Sequence, residues 1–318
     1  MTYNIIENFI LVAGQTVTLF LIVGIGFFLC KAGRLARQTV TQVSYLQVNI
    51  IIPCVIFNSL RIERNMQVIR EMGLAALGSA ACYGATIFIA SFMYRKKQRD
   101  TAAVLRFGAV YSNVAFMGFP LVEAVFGKEA LVFAAVSLAV FTLFQWTHGV
   151  YIMGGRDQLS ARAVLRSPGI VALAIGFISF MVGYDYFDSY AWPLGNAISF
   201  VANMNTPLAL TVLGAQMAFS DYTKLFKSKV LYGACAVRLV AFPALAALIM
   251  LPLRSMPHVY FALATLCATP AAGLTSGFSE RYSRDVPTAA QLVTLSTLLS
   301  AVTLPLFVAV LQAIVTVP

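Results

Sequence analysis

Charged residues are scarce in this chain of 318 residues, and their scarcity excludes a soluble fold. Asp, Glu, Lys and Arg make up 11% of the sequence, hydrophobic residues make up 60%, and the mean hydropathy is +0.83. A soluble domain averages about 25% charged and about 45–50% apolar residues. The composition therefore predicts an integral membrane protein whose main surroundings are a lipid bilayer.

Motifs for catalysis, nucleotide binding and metal binding are also missing. The sequence contains no GxxxxGK[ST], HExxH or GxSxG pattern and no cluster of His and Asp residues. The five cysteines are scattered through apolar segments without CxxC or CxxH spacing, which is typical of small buried residues and not of disulfides or metal ligands. The sequence thus predicts no enzyme, no ATP-driven pump, no cofactor and no metal site.

Long apolar runs are what the sequence does contain. A helix needs about 20 apolar residues to cross the hydrocarbon core, and such runs predict an all-α polytopic protein. The N-terminus carries Glu7 and no basic region, which argues against a cleaved signal peptide. The ten predicted transmembrane segments are residues 9–30, 43–60, 73–94, 105–126, 130–153, 168–184, 192–219, 230–252, 257–279 and 287–315.

The basic residues indicate how these segments are oriented. The formal charge is +10, but Lys and Arg lie in short loops, which is typical of membrane orientation and predicts no nucleic-acid partner. Sixteen of the 22 Lys and Arg residues fall on one side of the predicted segments, five fall on the other, and Arg238 lies inside a segment. Because basic loops stay in the cytoplasm, both termini are predicted to lie outside.

The two halves of the chain carry traces of an internal duplication. With both termini on one side, residues 1–153 and 154–318 enter the membrane in opposite senses, which predicts a 5+5 inverted repeat. Pro53 is matched 154 residues later by Pro207. The fourth and ninth segments are both interrupted by Pro, Gly and polar residues. Paired broken helices indicate a substrate site near the middle of the membrane.

These two broken segments supply most of the candidate substrate-binding residues. The N-terminal ends of half-helices carry roughly half a positive charge and free N–H groups, so crossing breaks favour an anion, above all a carboxylate. We expect Asn113, beside the first break, to bind it. For the Ser and Thr residues, hydrogen bonds within the helix bundle are the alternative. The candidates are Ser112, Asn113, Met117, Gly118, Pro120, Thr269, Pro270, Gly273, Thr275 and Ser276.

Asn49 and Asn205 are two further candidates, because an unpaired amide is costly in lipid. They lie near Pro53 and Pro207 and are predicted to line a cavity, although hydrogen bonds across the helix pair would explain them equally well.

Each of three ionisable residues inside the predicted segments has two alternative interpretations. Arg238 either has a function in the membrane interior or extends its guanidinium to the cytoplasmic surface. Glu123 either couples transport to protons or is an interfacial carboxylate near Lys128. His148 either titrates or packs as a hydrogen-bonded neutral side chain.

The fourth segment resembles the corresponding stretch of the auxin efflux carrier family. Asn113-Val-Ala-Phe-Met-Gly-Phe-Pro120-Leu, followed by Phe126-Gly, is similar to the family pattern of Asn, Met-Gly-x-Pro-Leu and an aromatic–Gly pair. Thr269-Pro-Ala-Ala-Gly273 resembles the family's second crossover helix. The resemblance extends over all ten predicted segments.

This resemblance implies a bile-acid symporter-like fold with crossing helices four and nine. It implies a scaffold domain of helices 1, 2, 6 and 7 and a transport domain of helices 3–5 and 8–10, which moves as an elevator within a homodimer. The substrate would be a small organic anion, such as malate, malonate or an auxin-like acid, held near Asn113, Pro120 and Pro270.

The short connection between the fifth and sixth segments is typical of a prokaryotic member, which implies the bacterial cytoplasmic membrane. A membrane sensor or receptor that binds without transport, and a sodium-coupled organic anion symporter, are the alternative functions.

Overall fold

The computed structural model describes residues 5–63, 65–182, 191–220 and 225–316, and these residues form helices joined by short loops. Seven of the helices are long and apolar enough to cross a membrane, and three shorter apolar helices accompany them. The elements are α1 (Ile5–Lys31), α2 (Arg37–Ser59), α3 (Met66–Phe92), α4 (Arg99–Val110), α5 (Val114–Phe126), α6 (Lys128–Gly154), α7 (Pro168–Val182), α8 (Trp192–Ala218), α9 (Lys229–Ile249), α10 (Pro257–Ala268), α11 (Leu274–Arg281) and α12 (Val286–Thr316).

The prediction of an all-helical, multi-pass membrane protein is confirmed. The two segments predicted to be broken are each divided, the fourth into α4 and α5 and the ninth into α10 and α11. The second segment begins at Arg37, six residues before the predicted boundary at 43. Residues 183–184 of the sixth segment, together with Arg64 and Lys224, lie outside the described residues. The ten-helix 5+5 inverted repeat and its two halves stay predictions.

Prolines account for three widened turns in these helices. A proline has no N–H to donate, and its ring collides with the carbonyl four residues earlier, so a wider π turn relieves the crowding without ending the helix. Pro120 therefore does not break its segment, and the interruption lies earlier, at residues 111–113. These three π turns are Gln47–Ile51 before Pro53, Val114–Gly118 before Pro120 and Val237–Ala241 before Pro243, and a fourth, Gln145–Gly149, precedes no proline.

Helices α1 and α8 approach each other closely because glycines stand at their contact. A Cβ added to Gly26 would collide with the backbone of Thr211, and a Cβ added to Gly214 would collide with the Val23 carbonyl. Small residues permit such approach in membranes, where helices associate by van der Waals packing. The two helices thus form one tightly packed pair beside the broken helices.

Candidate functional site

The two interruptions lie side by side and pair with each other. Ser112 and Ala271 form an antiparallel bridge. The Asn113 N–H donates to the Pro270 carbonyl at 2.8 Å, and the Ala272 N–H donates to the Tyr111 carbonyl at 3.0 Å. Lipid offers no partner for exposed backbone, so an interruption inside a membrane must be covered by protein. Each interruption supplies the partner that the other needs.

Asn113 forms the N-cap of α5 and keeps part of its hydrogen-bonding capacity free. Its Oδ1 accepts from the Phe116 N–H at 3.3 Å, which is the usual role of an Asn at this position. Only 4% of the residue is exposed, and among the described residues its Nδ2 has no hydrogen-bond partner. An unpaired buried amide costs free energy. Asn113 therefore holds two N–H donors that a ligand's oxygen would satisfy.

The Ser and Thr candidates of the second interruption divide into two kinds. The Thr269 hydroxyl donates to the Leu266 carbonyl of its own helix at 2.8 Å, as expected for a packing residue. The Ala271 N–H donates to Ser296 Oγ of α12 at 3.1 Å. The Thr275 hydroxyl is fully buried and has no partner in the part of the chain that the structure describes.

A cavity of about 280 Å³ lies at the N-terminal end of α11. We name it the Gln216 cavity. Gly273 and Ser276 of α11 line it together with Gln216 of α8, and a Cβ added to Gly273 would lie 2.9 Å from Gln216 Oε1. Within the described ranges the N–H groups of Gly273 and Leu274 donate to no acceptor. Most of the remaining lining is uncharged and includes Thr41, Ser44, Val48, Phe116, Ser220 and Thr294.

An ion pair joins two helices in the lining of the Gln216 cavity. Arg37 Nη2 of α2 lies 2.6 Å from Glu280 Oε1 of α11. Both residues line the cavity, and their side chains are 69% and 52% exposed, which places them at its solvent-accessible end. The distribution of Lys and Arg along the sequence predicts that this end is the cytoplasmic one. The two charged side chains of the cavity thus neutralise each other, away from the N-terminal end of α11.

A second cavity, of about 240 Å³, lies at the opposite ends of α2 and α5, beside the middle of α8. Glu123, Lys128 and Glu129 line it together with Asn205, and we name it the Glu123 cavity. The structure therefore places Glu123 and Lys128 around one cavity, near the end of the membrane segment, where the sequence analysis expects them.

A buried amide pair joins α2 to α8. Gln47 Nε2 donates to the Asn205 carbonyl at 3.2 Å and to Asn205 Oδ1 at 3.3 Å. Along α2, the Gln216 cavity extends to Val48 and the Glu123 cavity begins at Val55. Gln47 was not among the predicted site residues, although an amide six residues before Pro53 in an apolar segment was a usable signal. Asn49 donates instead to the Tyr45 carbonyl of its own helix at 2.8 Å.

Several candidates near the first interruption do not line either cavity in the described part of the chain. Met117 is fully buried, and its sulfur lies 3.9 Å from Ser300 Oγ. Gly118 packs against α10, since a Cβ there would lie 2.6 Å from Leu266 Cδ2. Pro120 is buried, and Ser112 is held in the bridge between the interruptions. The structure does not bring these residues to the Gln216 cavity, and the candidates Asn113, Thr269, Pro270 and Thr275 do not line it either.

His148 packs against the first interruption. Its Nδ1 lies 3.0 Å from Tyr111 Oη, and that hydroxyl donates to the Phe144 carbonyl at 2.7 Å. A hydroxyl has one hydrogen to donate, so His148 Nδ1 is the donor to Tyr111. The arrangement matches a packing histidine.

Comparisons with known proteins agree with this architecture. A family model described as membrane transport protein matches the chain over residues 11–162 and 157–308. The chain is also similar to an uncharacterized transporter of Methanothermobacter thermautotrophicus, with 25% identity over 303 residues that cover 92% of this chain and 96% of the relative.

Proposed function

The chain belongs to the membrane transport protein family, the family of the auxin efflux carriers, and from that premise we propose that it is a secondary active transporter of small organic anions. The substrates are carboxylates such as malate and malonate, or auxin-like acids. The observation that carries the proposal is the pairing of Asn113 with Pro270. This pairing joins two broken membrane helices beside a cavity, which is the arrangement that transporters use for a substrate site.

The chemistry of the Gln216 cavity supports an anion. Its unpaired donors are the N–H groups of Gly273 and Leu274 at the start of α11, where the helix carries roughly half a positive charge. Gln216 and Ser276 add an amide and a hydroxyl to the lining. The volume of about 280 Å³ lies just below the range of about 300–1,000 Å³ that suits drug-sized ligands, which favours a small acid.

The two cavities support alternating access. They lie towards opposite ends of α2, and of the two only the Gln216 cavity reaches the unpaired N–H groups at the start of α11. Its solvent-accessible end is the predicted cytoplasmic side, so the conformation corresponds to an inward-facing state. We place the carrier in a bacterial cytoplasmic membrane with both termini outside. It works as a homodimer in which helices 3–5 and 8–10 of the predicted ten move as an elevator against helices 1, 2, 6 and 7.

Uptake into proteoliposomes tests this function. Radiolabelled malate and malonate, with pH and sodium gradients varied independently, should give saturable uptake that other short carboxylates compete for. Gln216→Leu should weaken apparent affinity roughly 10- to 100-fold, since hydrogen bonds to charged groups contribute about 1.5–3 kcal/mol. Gln67→Leu on α3, at an exposed position where the amide donates to Glu71, is the matched control.

Other outcomes would point to the alternative functions. Calorimetric binding of the same acids without uptake would favour a sensor or receptor. Uptake that requires a sodium gradient would favour a sodium-coupled symporter. Neither binding nor uptake of any carboxylate would contradict the proposed substrate class.

A further inference from the structure

Arg238 lies in the interior of the protein, beside the ends of two broken helices. It stands nine residues after Lys229, inside the π turn Val237–Ala241 of α9. Only 2% of the residue is exposed. Its guanidinium therefore does not extend to the cytoplasmic surface, which decides one of the alternatives that the sequence left open.

The guanidinium joins the C-terminal ends of both first half-helices. Nη1 donates to the carbonyls of Ala109 at 2.8 Å and Val110 at 3.1 Å, in the last turn of α4. Nη2 donates to the carbonyl of Cys267, in the last turn of α10. The last carbonyls of a helix have no partner within that helix. One side chain thus satisfies carbonyls that both interruptions leave exposed.

The charges of these groups balance. Each helix C-terminus carries roughly half a negative charge, so two such ends together match the single positive charge of Arg238. Among the described residues, no carboxylate forms an ion pair with Arg238, and the described ion pairs are Arg37–Glu280 and Arg284–Asp100. The helix ends are consequently its counter-charge in the membrane interior.

We propose that Arg238 is a resident cation of the paired interruptions. It occupies the place where the carbonyls of helix C-termini would otherwise bind a free monovalent cation, as unwound membrane helices do in sodium-coupled carriers. The carrier therefore needs no bound sodium ion at this point, and removal of the side chain creates a cation-binding site between α4 and α10. The proposal does not depend on which anion is transported.

The thermal midpoint of the purified protein in detergent tests the proposal without any transport measurement. Arg238→Ala should lower the midpoint by on the order of 10 °C, because it leaves the buried carbonyls of two helix ends without the cation that satisfies them. The cations are compared at one ionic strength. Ethylguanidinium should restore at least half of the lost midpoint, ethylammonium should restore less, and choline should restore none. Sodium should restore more than choline. The wild-type protein should respond equally to all four chloride salts.

Two variants of similar length separate charge from packing and serve if Arg238→Ala does not fold. Arg238→Lys keeps a cation, whereas Arg238→Gln keeps hydrogen-bond donors without charge. The thermal midpoint of Arg238→Lys should lie clearly above that of Arg238→Gln. The control variant Arg254→Gln, at an exposed position after α9, should have the midpoint of the wild type. Equal midpoints for the Lys and Gln variants, or a rescue that is the same for every cation, would overturn the proposal.

Discussion

The Asn113 N–H donates to the Pro270 carbonyl at 2.8 Å across 157 positions of the sequence. This bond lies in the region where each of two membrane helices is interrupted, and it belongs to a pair with the bond from Ala272 to Tyr111. Because each interruption satisfies the other, neither half of the chain can form this site alone. Changes near the bond should therefore affect the proposed ligand site and the stability of the paired interruptions to different degrees.

Asn113→Ala should weaken carboxylate binding while leaving the fold in place. The variant removes the unpaired Nδ2 and the Phe116 cap, and the loss of a hydrogen bond to a charged ligand lowers affinity roughly 10- to 100-fold. Calorimetric titration with malate or malonate measures the effect. Asn49→Ala is the matched control, since its amide bonds its own helix. Unchanged affinity in a folded Asn113→Ala variant would remove Asn113 from the site.

Gly273→Ala should reduce affinity by moving Gln216. The added Cβ would lie 2.9 Å from Gln216 Oε1, which is too close, and the flexible amide would turn away from the α11 terminus. An affinity loss of roughly tenfold is expected from crowding of this kind. Gly73→Ala, on α3 and outside the lining of the cavity, meets nothing within 4 Å and should bind as the wild type does. Equal titrations for the two variants would contradict the assigned contact.

Gly26→Ala should disrupt the packing of α1 against α8. Its Cβ would collide with the Thr211 backbone, which cannot move aside as a side chain can. We expect a loss of at least about 3 kcal/mol, at the upper end of overpacking effects, measured as a lowered thermal midpoint or as loss of the monodisperse peak in detergent. Gly24→Ala has open space around its Cβ and should be neutral. A stable Gly26→Ala protein would show that the two helices are farther apart.

Asp285 should stabilise the protein at neutral pH and lose that effect in acid. Burial raises the pKa of its carboxyl, but hydrogen bonds from Thr101 at 2.6 Å and from the Thr288 hydroxyl at 2.7 Å outweigh burial and hold the pKa below its usual value. A carboxyl whose pKa is lower in the folded state stabilises that state above its unfolded pKa of about 3.9, and the contribution disappears as pH falls through the folded pKa.

The measurement for Asp285 compares thermal midpoints of the wild type and Asp285→Asn between pH 7 and pH 3. The deficit of the variant should be constant from pH 7 to about pH 5 and should shrink below about pH 4. Asp157→Asn, at an exposed position after α6, should show no such trend. A deficit that stays the same at every pH would contradict the role assigned to the ionised carboxyl.

Local features of the sequence were sufficient to locate both interruptions. Polar Asn113 with Gly118 and Pro120, and Thr269 with Pro270 and Gly273, mark the two segments that the structure divides. The exact point of the first division was harder to predict, because Pro120 widens its helix into a π turn without ending it. A proline crowds the carbonyl four residues earlier in the helix. Whether the helix then bends, widens into a π turn or ends depends on the residues that pack around it.

The sequence by itself determined that this protein is an all-helical membrane protein. A bilayer of fixed thickness requires apolar runs of about 20 residues, and each such run can be recognised from the local sequence alone. Tertiary structure alone decided where the polar side chains point. Gln47 pairs with Asn205 across 158 positions, whereas Asn49, two residues away, bonds its own helix. Arg238 turns inward because the carbonyls that can neutralise it come from α4 and α10, which only folding brings beside α9. A buried polar group takes the partners that remote segments offer, and the local sequence does not contain them.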